Sequence, residues 1–267
     1  MRAAMTARSI PAQPLAMLTF APMIDSELSR LILAHYAIPY REEPHIFGWA
    51  SVLTLLHGGH GRIPFIHGGG RRLTGPRALV DHFDTLFPED RALRPARQPL
   101  RTEVEAAWQR YNGELATYTA RVAYFHLLPA RDIMLEPFSR GVPRSEAAVV
   151  RPAYGLLRRL FTMLLRLKPA TAQDALARVR AAFDRTDRLV ADGRRYLAGG
   201  RLTMADLALA SAAAPMLLPA GYAAPVPPLE AMPPAMQAIV AELRQHPTAR
   251  FVERIYALHP PRPAAGT

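Results

Sequence analysis

The side chain of this sequence best placed to do chemistry is the hydroxyl of Ser26. It follows the short apolar run Ala16–Ala21, which Pro22 ends, and it opens a segment with apolar residues at three- and four-residue spacing. This pattern predicts a buried strand followed by a helix, with Ser26 near the helix N-terminus. Serine there either caps free backbone N–H groups or faces an anionic group that the helix end stabilises. Asp25 and Glu27 put negative charge at this place, which favours capping.

The composition limits which chemistry the chain can supply itself. Its 267 residues include no cysteine, which excludes a disulfide framework, a cysteine-ligated metal and a protein thiolate. Any sulfur chemistry must therefore use the sulfur of a ligand. The 9 histidines are scattered without a metal-ligand spacing or a carboxylate pairing, so we expect no metal.

The charge balance bears on the choice of partners. There are 33 basic and 22 acidic side chains, a net charge of +11, but Lys168 is the only lysine. An arginine-for-lysine replacement throughout, together with 26 prolines, is typical of a GC-rich coding bias. No long run of like charges marks a basic arm. We expect a solvated arginine-rich face and no nucleic-acid partner; an arginine-dominated nucleic-acid or membrane binder is the alternative, with salt-dependent binding.

The apolar pattern divides the chain into two halves. The first alternates predicted strands and helices in the order β-α-β-(α)-β-β-α, whereas the second shows only helical periodicity. Half of the residues are apolar, which is enough to bury two cores. We predict a disordered tail at 1–14, an α/β domain at 15–87, a proline-rich linker at 88–99, an all-helical domain at 100–259 and a disordered tail at 260–267.

No segment has the pattern expected for membrane insertion. The first 14 residues lack the apolar core of a secretory signal, and the apolar stretch Met204–Gly221 contains Asp206 and Pro215. We therefore predict a buried helix there and no membrane partner. The basic, amphipathic segment Val150–Lys168 fits a bundle helix or a helix lying on an anionic membrane.

Four segments resemble the cytosolic glutathione S-transferases. They are Phe20–Arg30, similar to the first strand, active-site loop and helix start; Gly61–Ile66, similar to Gly-x-Val-Pro-x-Leu; Tyr196–Leu207, similar to Tyr-Leu-x-Gly-x-x-x-Thr-x-Ala-Asp; and His246–Tyr256, similar to the chain end of bacterial members. The resemblance covers residues 16 to 258. It implies an α/β thioredoxin-like N-terminal domain plus an all-α C-terminal helical domain.

The resemblance implies a glutathione site in the first half. Ser26 falls at the catalytic position, where a hydroxyl donates to the glutathione sulfur, as in a serine-type member. Pro64 matches a proline that is cis in the family. The residue before it, Ile63, would pair through its backbone with the cysteinyl part of glutathione.

The sequence departs from the family at Gly75 and Pro76, where an acid and a serine normally hold the two ends of the γ-glutamyl group. Glycine offers no side chain and proline removes an N–H donor, so we expect weakened glutathione binding. Arg77 is a candidate to recapture the carboxylate.

Two further groups of residues are singled out in the second half. Trp108, Tyr111 and Tyr118 share one face of the first long helix and either line an electrophile pocket, as the resemblance implies, or pack in the core or a dimer interface. Thr203 and Asp206 have the spacing of a capping box and are predicted to be structural rather than catalytic.

The expected function follows from the resemblance. We expect a cytoplasmic, homodimeric, bacterial detoxification enzyme that conjugates glutathione to a small hydrophobic electrophile, or reduces with it. The alternative is a non-catalytic module on the same fold, with weak or no glutathione binding, that binds a protein or a small ligand.

Overall fold

The computed structural model describes residues 15–260. The predicted tail at 1–14, and the one at 260–267 apart from its first residue, lie outside the described residues. Among the described residues, no helix is both long and apolar enough to cross a bilayer.

The first half contains a four-stranded mixed sheet in the order β2-β1-β3-β4. β1 (Leu15–Thr19) is parallel to β2 (Tyr40–Pro44) and antiparallel to β3 (Phe65–Gly68), which pairs with β4 (Arg71–Thr74). Every residue of β1 is buried, because it is a central strand with neighbours on both edges. This explains why β1 reads as a continuous apolar run rather than an alternating one.

Three helices accompany the sheet: α1 (Ile24–His35), α2 (Trp49–Leu56) and α3 (Gly75–Phe83). The predicted order of strands and helices is confirmed. The segment Ala37–Arg41 predicts a strand that starts at Ala37, but β2 begins three residues later, at Tyr40. The reason is the end of α1: Ala37 takes a left-handed φ of 54°, and the amide of Ile38 donates to Leu33 O at 2.9 Å. This Schellman-type ending uses residues that the apolar pattern assigned to the strand.

The second half is all helical, as predicted. Its elements are α4 (Leu100–Trp108), a π-helical segment (Gln109–Leu115), α5 (Ala116–Leu127), α6 (Arg131–Ser139), α7 (Arg144–Leu164), α8 (Pro169–Val190), α9 (Met204–Leu217), a 3₁₀ turn (Leu229–Ala231), α10 (Pro234–Leu243) and α11 (Pro247–Leu258).

Two features of this half were not predicted. The apolar spacing of residues 104–128 predicts one long helix, but the π-helical segment interrupts it. A π-helical turn is wider than an α-helical one, and this small change does not show in the apolar spacing. α6 was not predicted, because Pro137 in its last turn is a helix-breaking signal.

α9 is the central helix of the second half. All of its residues except Pro215 are buried, and it packs against α1, α4, α5, α10 and α11. Its contact with α1 joins the α/β half to the helical half. A helix surrounded in this way cannot use water to satisfy its free N-terminal amides, so side chains must do so.

The predicted capping box forms through Asp206, whose side chain reaches back to the N-cap amide, whereas the Thr203 side chain makes no hydrogen bond to an amide of α9. The carboxylate of Asp206 accepts hydrogen bonds from the Thr203 amide at 2.7 Å, the Thr203 hydroxyl at 2.8 Å and the Leu197 amide at 2.7 Å. Burial raises the pKa of Asp206 to about 6, although these hydrogen bonds oppose the shift. Neither residue lines the pocket described below, and their structural role stays a prediction.

We expect Thr203→Ala to lower the free energy of unfolding by about 1–2 kcal/mol, because it removes the N-cap side chain of a fully buried helix. Thr162→Ala is the control: the Thr162 hydroxyl is exposed and bonds back to Arg158 O inside α7. It should stay within about 0.5 kcal/mol of the parent. Urea denaturation measures both, and equal losses would contradict the assignment.

Candidate functional site

A buried charge network holds the start of α1. The guanidinium of Arg30, 2% exposed, donates to Glu42 at 2.6 and 2.9 Å, to Glu27 at 2.8 Å and to Ala21 O at 3.1 Å. The Thr19 hydroxyl donates to Glu42 at 2.8 Å. The network fixes the active-site loop of the predicted site against β1 and β2, since Ala21 belongs to that loop.

The same network reaches the C-terminal part of the chain. Glu27 is fully buried and accepts hydrogen bonds from the Tyr256 hydroxyl and the Ala223 amide, both at 3.1 Å. Tyr256 lies in α11 and Ala223 in the loop after α9. One carboxylate in α1 therefore receives donors from two distant parts of the helical half, which fixes how that half covers the end of α1.

Ser26 does not face a cavity in this structure. It is fully buried, and its hydroxyl donates to Phe20 O at 3.0 Å across the loop between β1 and α1. To contact a ligand, the hydroxyl would have to give up this bond. The arrangement matches neither sequence interpretation completely, because Ser26 closes the loop rather than capping an amide of α1.

At this helix end, Pro22, Met23, Ile24 and Asp25 line a cavity, and Asp25 is the charged one among them. Met23 is the N-cap residue of α1, and Asp25 is its second helical residue. Both line a pocket of about 330 Å³ between the N-terminus of α1, the α5 helix, the end of α7 and the loop after α9. The pocket is small among ligand sites, which occupy roughly 300–1,000 Å³.

The pocket wall is predominantly apolar and aromatic. The ring of Phe161 lies 4.8 Å from that of Phe47 and 5.0 Å from that of Tyr124, centroid to centroid. Phe20 and Tyr222 complete the aromatic part of the wall. Burial in these surroundings raises the pKa of Asp25 to about 6, and no hydrogen bond or ion pair to its carboxylate is formed within residues 15–260.

The segment around Pro64 forms a second cluster. The Ile63–Pro64 peptide bond is cis, as the resemblance implies, and Pro64 O accepts from the Gly75 amide at 2.9 Å. Gly75 begins α3 with φ +76°, a left-handed conformation that glycine adopts without strain. Pro76 follows, buried, at the second position of α3. The structure thus brings Ile63, Pro64, Gly75 and Pro76 together, but none of them lines the pocket at Asp25.

Comparisons with known proteins agree with this architecture. A sequence model described as "Glutathione S-transferase, C-terminal domain" matches residues 159–242, while a search of curated proteins finds no match. Glutathione transferase GSTFuA3 from Phanerochaete chrysosporium superposes with a TM-score of 0.61 at 16% identity, covering 92% of this chain and 97% of that one. The β-etherase LigF from Sphingobium sp. strain SYK-6 gives a TM-score of 0.56 at 14% identity, covering 91% and 99%.

A third solved structure, a glutathione S-transferase from Methylobacillus flagellatus KT with glutathione bound, gives a TM-score of 0.54 at 16% identity and covers 90% of this chain and 93% of that one. At such identities the structural likeness shows the fold, and the family match is a sequence finding within the helical half. This chain has a glutathione S-transferase fold, and its residues 159–242 match the family's C-terminal domain.

In this glutathione S-transferase-fold protein, Arg77 is already engaged. Its guanidinium makes a two-point contact with Glu105 of α4 at 2.6 and 2.8 Å and reaches Asp81 at 3.2 Å. The Glu105 contact raises the pKa of Arg77 further and links α3 to α4. Two carboxylates thus already engage Arg77, and its role toward the carboxylate of glutathione stays a prediction.

The three aromatic residues expected at an electrophile pocket pack elsewhere. Trp108 and Tyr111 are buried in the core, where the Tyr111 hydroxyl lies 3.0 Å from that of Thr186. Tyr118 lies under the guanidinium of Arg178, 5.4 Å from its ring centroid. None of the three lines the pocket at Asp25. This placement fits the packing interpretation.

The pocket instead uses another face of the same helical stretch. Asn112, Ala116, Ala120 and Ala123 line it together with Tyr124. Small residues at three- and four-residue spacing leave the space that the ligand pocket occupies. This alanine stripe was the available sequence signal, but alanine is so abundant in this chain that the stripe did not stand out.

Three ligand-type side chains come together outside this region: Asp184, Asp187 and His246 have ligand atoms within 4.8 Å of one another. Asp187 is already used, because it accepts from the Thr248 amide at 2.8 Å, the Thr248 hydroxyl at 2.6 Å and contacts His246 Nδ1 at 2.7 Å. These contacts hold the start of α11 against α8. They explain the grouping without a cation, and the expected absence of a metal stays a prediction.

We expect Arg30→Met to lower the free energy of unfolding by about 3–5 kcal/mol, because it leaves two carboxylates buried without a counter-charge. Arg180→Met is the matched control, since Arg180 also makes a two-point contact with a carboxylate, Glu242, but at an exposed site. Its loss should be about 0–1 kcal/mol. Denaturation in urea compares the two, and a similar small loss for both would show that the network does not hold the fold.

We expect Asp25→Asn to stabilise the protein at neutral pH by about 1–3 kcal/mol, because the pKa of Asp25 is higher in the folded than in the unfolded chain. The folded state binds more protons between the ordinary value of 3.8 and about 6, so the cost of Asp25 grows as pH rises through that window and is complete above it. The gain from Asp25→Asn should therefore shrink as pH falls toward about 4.

The control for this series is Asp132→Asn. Asp132 occupies the same second position of α6 but is exposed, so its replacement removes only a favourable interaction with the helix N-terminus. We expect a loss of a few tenths of a kcal/mol for this variant at neutral pH. Thermal melts across the pH series measure both variants, and a destabilised Asp25→Asn protein at neutral pH would contradict the prediction.

Proposed function

We propose that this protein is a glutathione transferase-like protein that brings the thiolate of glutathione to a small hydrophobic molecule bound in the pocket at Asp25. The observation that carries the proposal is the position of this pocket. It lies directly at the N-terminal end of α1, the place where the resemblance puts the sulfur of glutathione. The proposal includes a homodimer in the cytoplasm, for which the resemblance is the support.

The N-terminus of α1 can stabilise a thiolate without a side chain. The amides of Ser26 and Glu27 both donate to Met23 O, at 3.0 and 3.1 Å, and no acceptor for the amides of Ile24 and Asp25 is formed within residues 15–260. Free amides and the helix dipole favour an anion at this end. The thiolate would attack an electrophilic carbon in the pocket, forming the C–S bond as the leaving group departs with its electron pair.

Glutathione itself would lie between this helix end and the Pro64 cluster. Ile63 would offer its backbone to the cysteinyl part, and the N-terminus of α3 at Gly75 would receive the γ-glutamyl carboxylate. No charged side chain is supplied by Gly75 or Pro76, and Arg77 is held by Glu105. We therefore propose that the dissociation constant for glutathione is in the millimolar range rather than the micromolar range.

Ser26 has a supporting role in this proposal. Its bond to Phe20 O keeps the loop before α1 closed, and the sulfur is stabilised by the amides of the helix end. This differs from the serine-type role that the resemblance implies, in which the hydroxyl donates to the sulfur. The two roles predict different consequences when the hydroxyl is removed.

The test combines calorimetry with millimolar glutathione and a conjugation assay with chlorodinitrobenzene. We expect measurable glutathione binding, and Ser26→Ala should keep turnover within a few-fold while losing about 1 kcal/mol of stability with its hydrogen bond. Ser29→Ala is the control, since the buried Ser29 hydroxyl has no hydrogen-bond partner among the described residues. It should leave turnover unchanged and should not lower the stability.

Two results would contradict these assignments separately. The absence of both heat and a thermal shift at millimolar glutathione would overturn the transferase function. A folded Ser26→Ala protein that binds glutathione but has lost turnover would overturn the helix-amide assignment and return the sulfur-contacting role to Ser26.

A second candidate function is a non-catalytic binding module on the same fold. It is favoured by the negative charge of Asp25 in the pocket, which opposes a thiolate nearby, and by the engaged side chains of Ser26 and Arg77. Such a protein would bind a hydrophobic ligand in the pocket while showing no response to glutathione.

A further inference from the structure

The pocket at Asp25 contains a carboxylate without a counter-charge. Among its lining residues, the ionisable ones are Asp25, Tyr124 and Tyr222, and no arginine, lysine or histidine of the described chain lines it. Asp25 makes no ion pair or hydrogen bond through its carboxylate within residues 15–260. Asp25 is partly exposed, and a carboxylate among apolar and aromatic walls is stabilised when a ligand supplies the missing positive charge.

A second acceptor lies in the same pocket. The Oδ1 atom of Asn112, in the π-helical segment, is buried and has no hydrogen-bond partner among the described residues. Buried acceptors without partners are uncommon in folded proteins, and each one costs stability. One buried acceptor without a partner and one carboxylate without a counter-charge, both on residues that line the pocket, favour a ligand that donates hydrogen bonds.

The pocket wall also suits a cation. Five aromatic rings line it, and their negative faces attract an ammonium group when water is excluded. The same rings accommodate an apolar body, so the pocket as a whole fits a molecule with one cationic end and one hydrophobic end. These rings belong to Phe20, Phe47, Tyr124, Phe161 and Tyr222.

Charges on the elements around the pocket do not supply a cation in place of a ligand. Arg30 of α1 is paired with both Glu27 and Glu42, and none of the three lines the pocket. Arg121 of α5 donates its Nε–H to Leu165 O at 3.1 Å and does not line the cavity. The carboxylate of Asp25 is therefore the charge that a bound ligand would meet.

We propose that the pocket at the N-terminus of α1 selects a small hydrophobic amine, whose ammonium group pairs with Asp25 and donates to Asn112 Oδ1 while its apolar body packs on the aromatic wall. The volume of about 330 Å³ limits the ligand to about one ring with a short chain. This inference deepens the proposed function by naming the substrate class of the same pocket, but amine binding requires neither glutathione nor turnover.

The test compares three ligands of the same shape and different charge: 4-phenylbutylamine, 4-phenylbutan-1-ol and 4-phenylbutanoate. Their affinities for the full chain are measured by calorimetry near neutral pH without glutathione. We expect the amine to bind at least tenfold more tightly than the alcohol and the carboxylate to give no binding. Equal affinities, preference for the carboxylate, or no binding of any of the three would overturn the inference.

Two variants test which residues make the pocket prefer the charged ligand. Asp25→Asn should lower the amine affinity to that of the alcohol and leave the alcohol unchanged, because only the charge pairing is lost. Asn112→Ala should weaken the binding of the amine a few-fold, because it removes the second hydrogen-bond acceptor. Asp132→Asn, at the same helical position of α6 but outside the pocket, should change neither ligand. An unchanged ratio of amine to alcohol in a folded Asp25→Asn protein would contradict the role of Asp25.

The pH dependence gives an independent readout. An aliphatic amine stays protonated below about pH 9, so the titrating group is the carboxyl, whose pKa burial raises to about 6. Amine binding should therefore weaken about tenfold between about pH 7.5 and pH 5, whereas alcohol binding should stay constant. Amine binding that is flat over this range would overturn the proposed pairing.

The outcomes also separate this inference from the proposed function. Charge-selective amine binding without any response to glutathione would support the ligand class and contradict the transferase function. Glutathione turnover with neutral electrophiles, together with no preference for the amine, would support the transferase function and contradict the ligand class.

Discussion

The arrangement of this protein depends on one buried guanidinium. Arg30 lies between Glu27 of its own helix and Glu42 of the neighbouring strand, and both carboxylates would be unpaired in the interior without it. Through Glu27 the same charges reach Tyr256 near the end of the described chain. A buried network of this kind tolerates little displacement, because each partner left alone would carry a desolvated charge.

This constraint also sets the electrostatics of the candidate site. The sequence places two acidic side chains at the start of α1, but their environments differ completely. Glu27 is neutralised by Arg30, whereas Asp25 points into an apolar pocket with no cation beside it. The helix end that would hold a thiolate is therefore flanked by one carboxylate whose ionisation burial opposes, and by free amides that favour an anion.

The candidate site has the backbone features that the resemblance implies for glutathione binding and lacks several of the implied side chains. The cis peptide before Pro64, its contact with Gly75 and the free amides of α1 are backbone features. The side chains expected to assist them are absent at Gly75 and Pro76, or are already engaged, as at Ser26 and Arg77. The neighbouring pocket, by contrast, has a continuous apolar and aromatic wall. The structure therefore supplies a cavity for a hydrophobic ligand but few side chains that could hold glutathione.

The sequence by itself determined the order of strands and helices, the buried course of α9 and the capping box at Thr203 and Asp206. These features depend on local periodicity and on residues three positions apart, which are visible in one dimension. The domain limits predicted at 87 and 100 remain predictions.

Only the tertiary structure decided where Ser26 and Asp25 point, which residues Arg30 and Arg77 pair with, and which face of α5 lines the pocket. Each of these depends on a partner far away in the chain: Glu27 meets Tyr256, Arg77 meets Glu105, and Asp25 shares its pocket with Phe161. The type of a residue determines which bonds its side chain can form. The partner of that side chain is determined by the fold, because all buried polar groups must find partners at the same time.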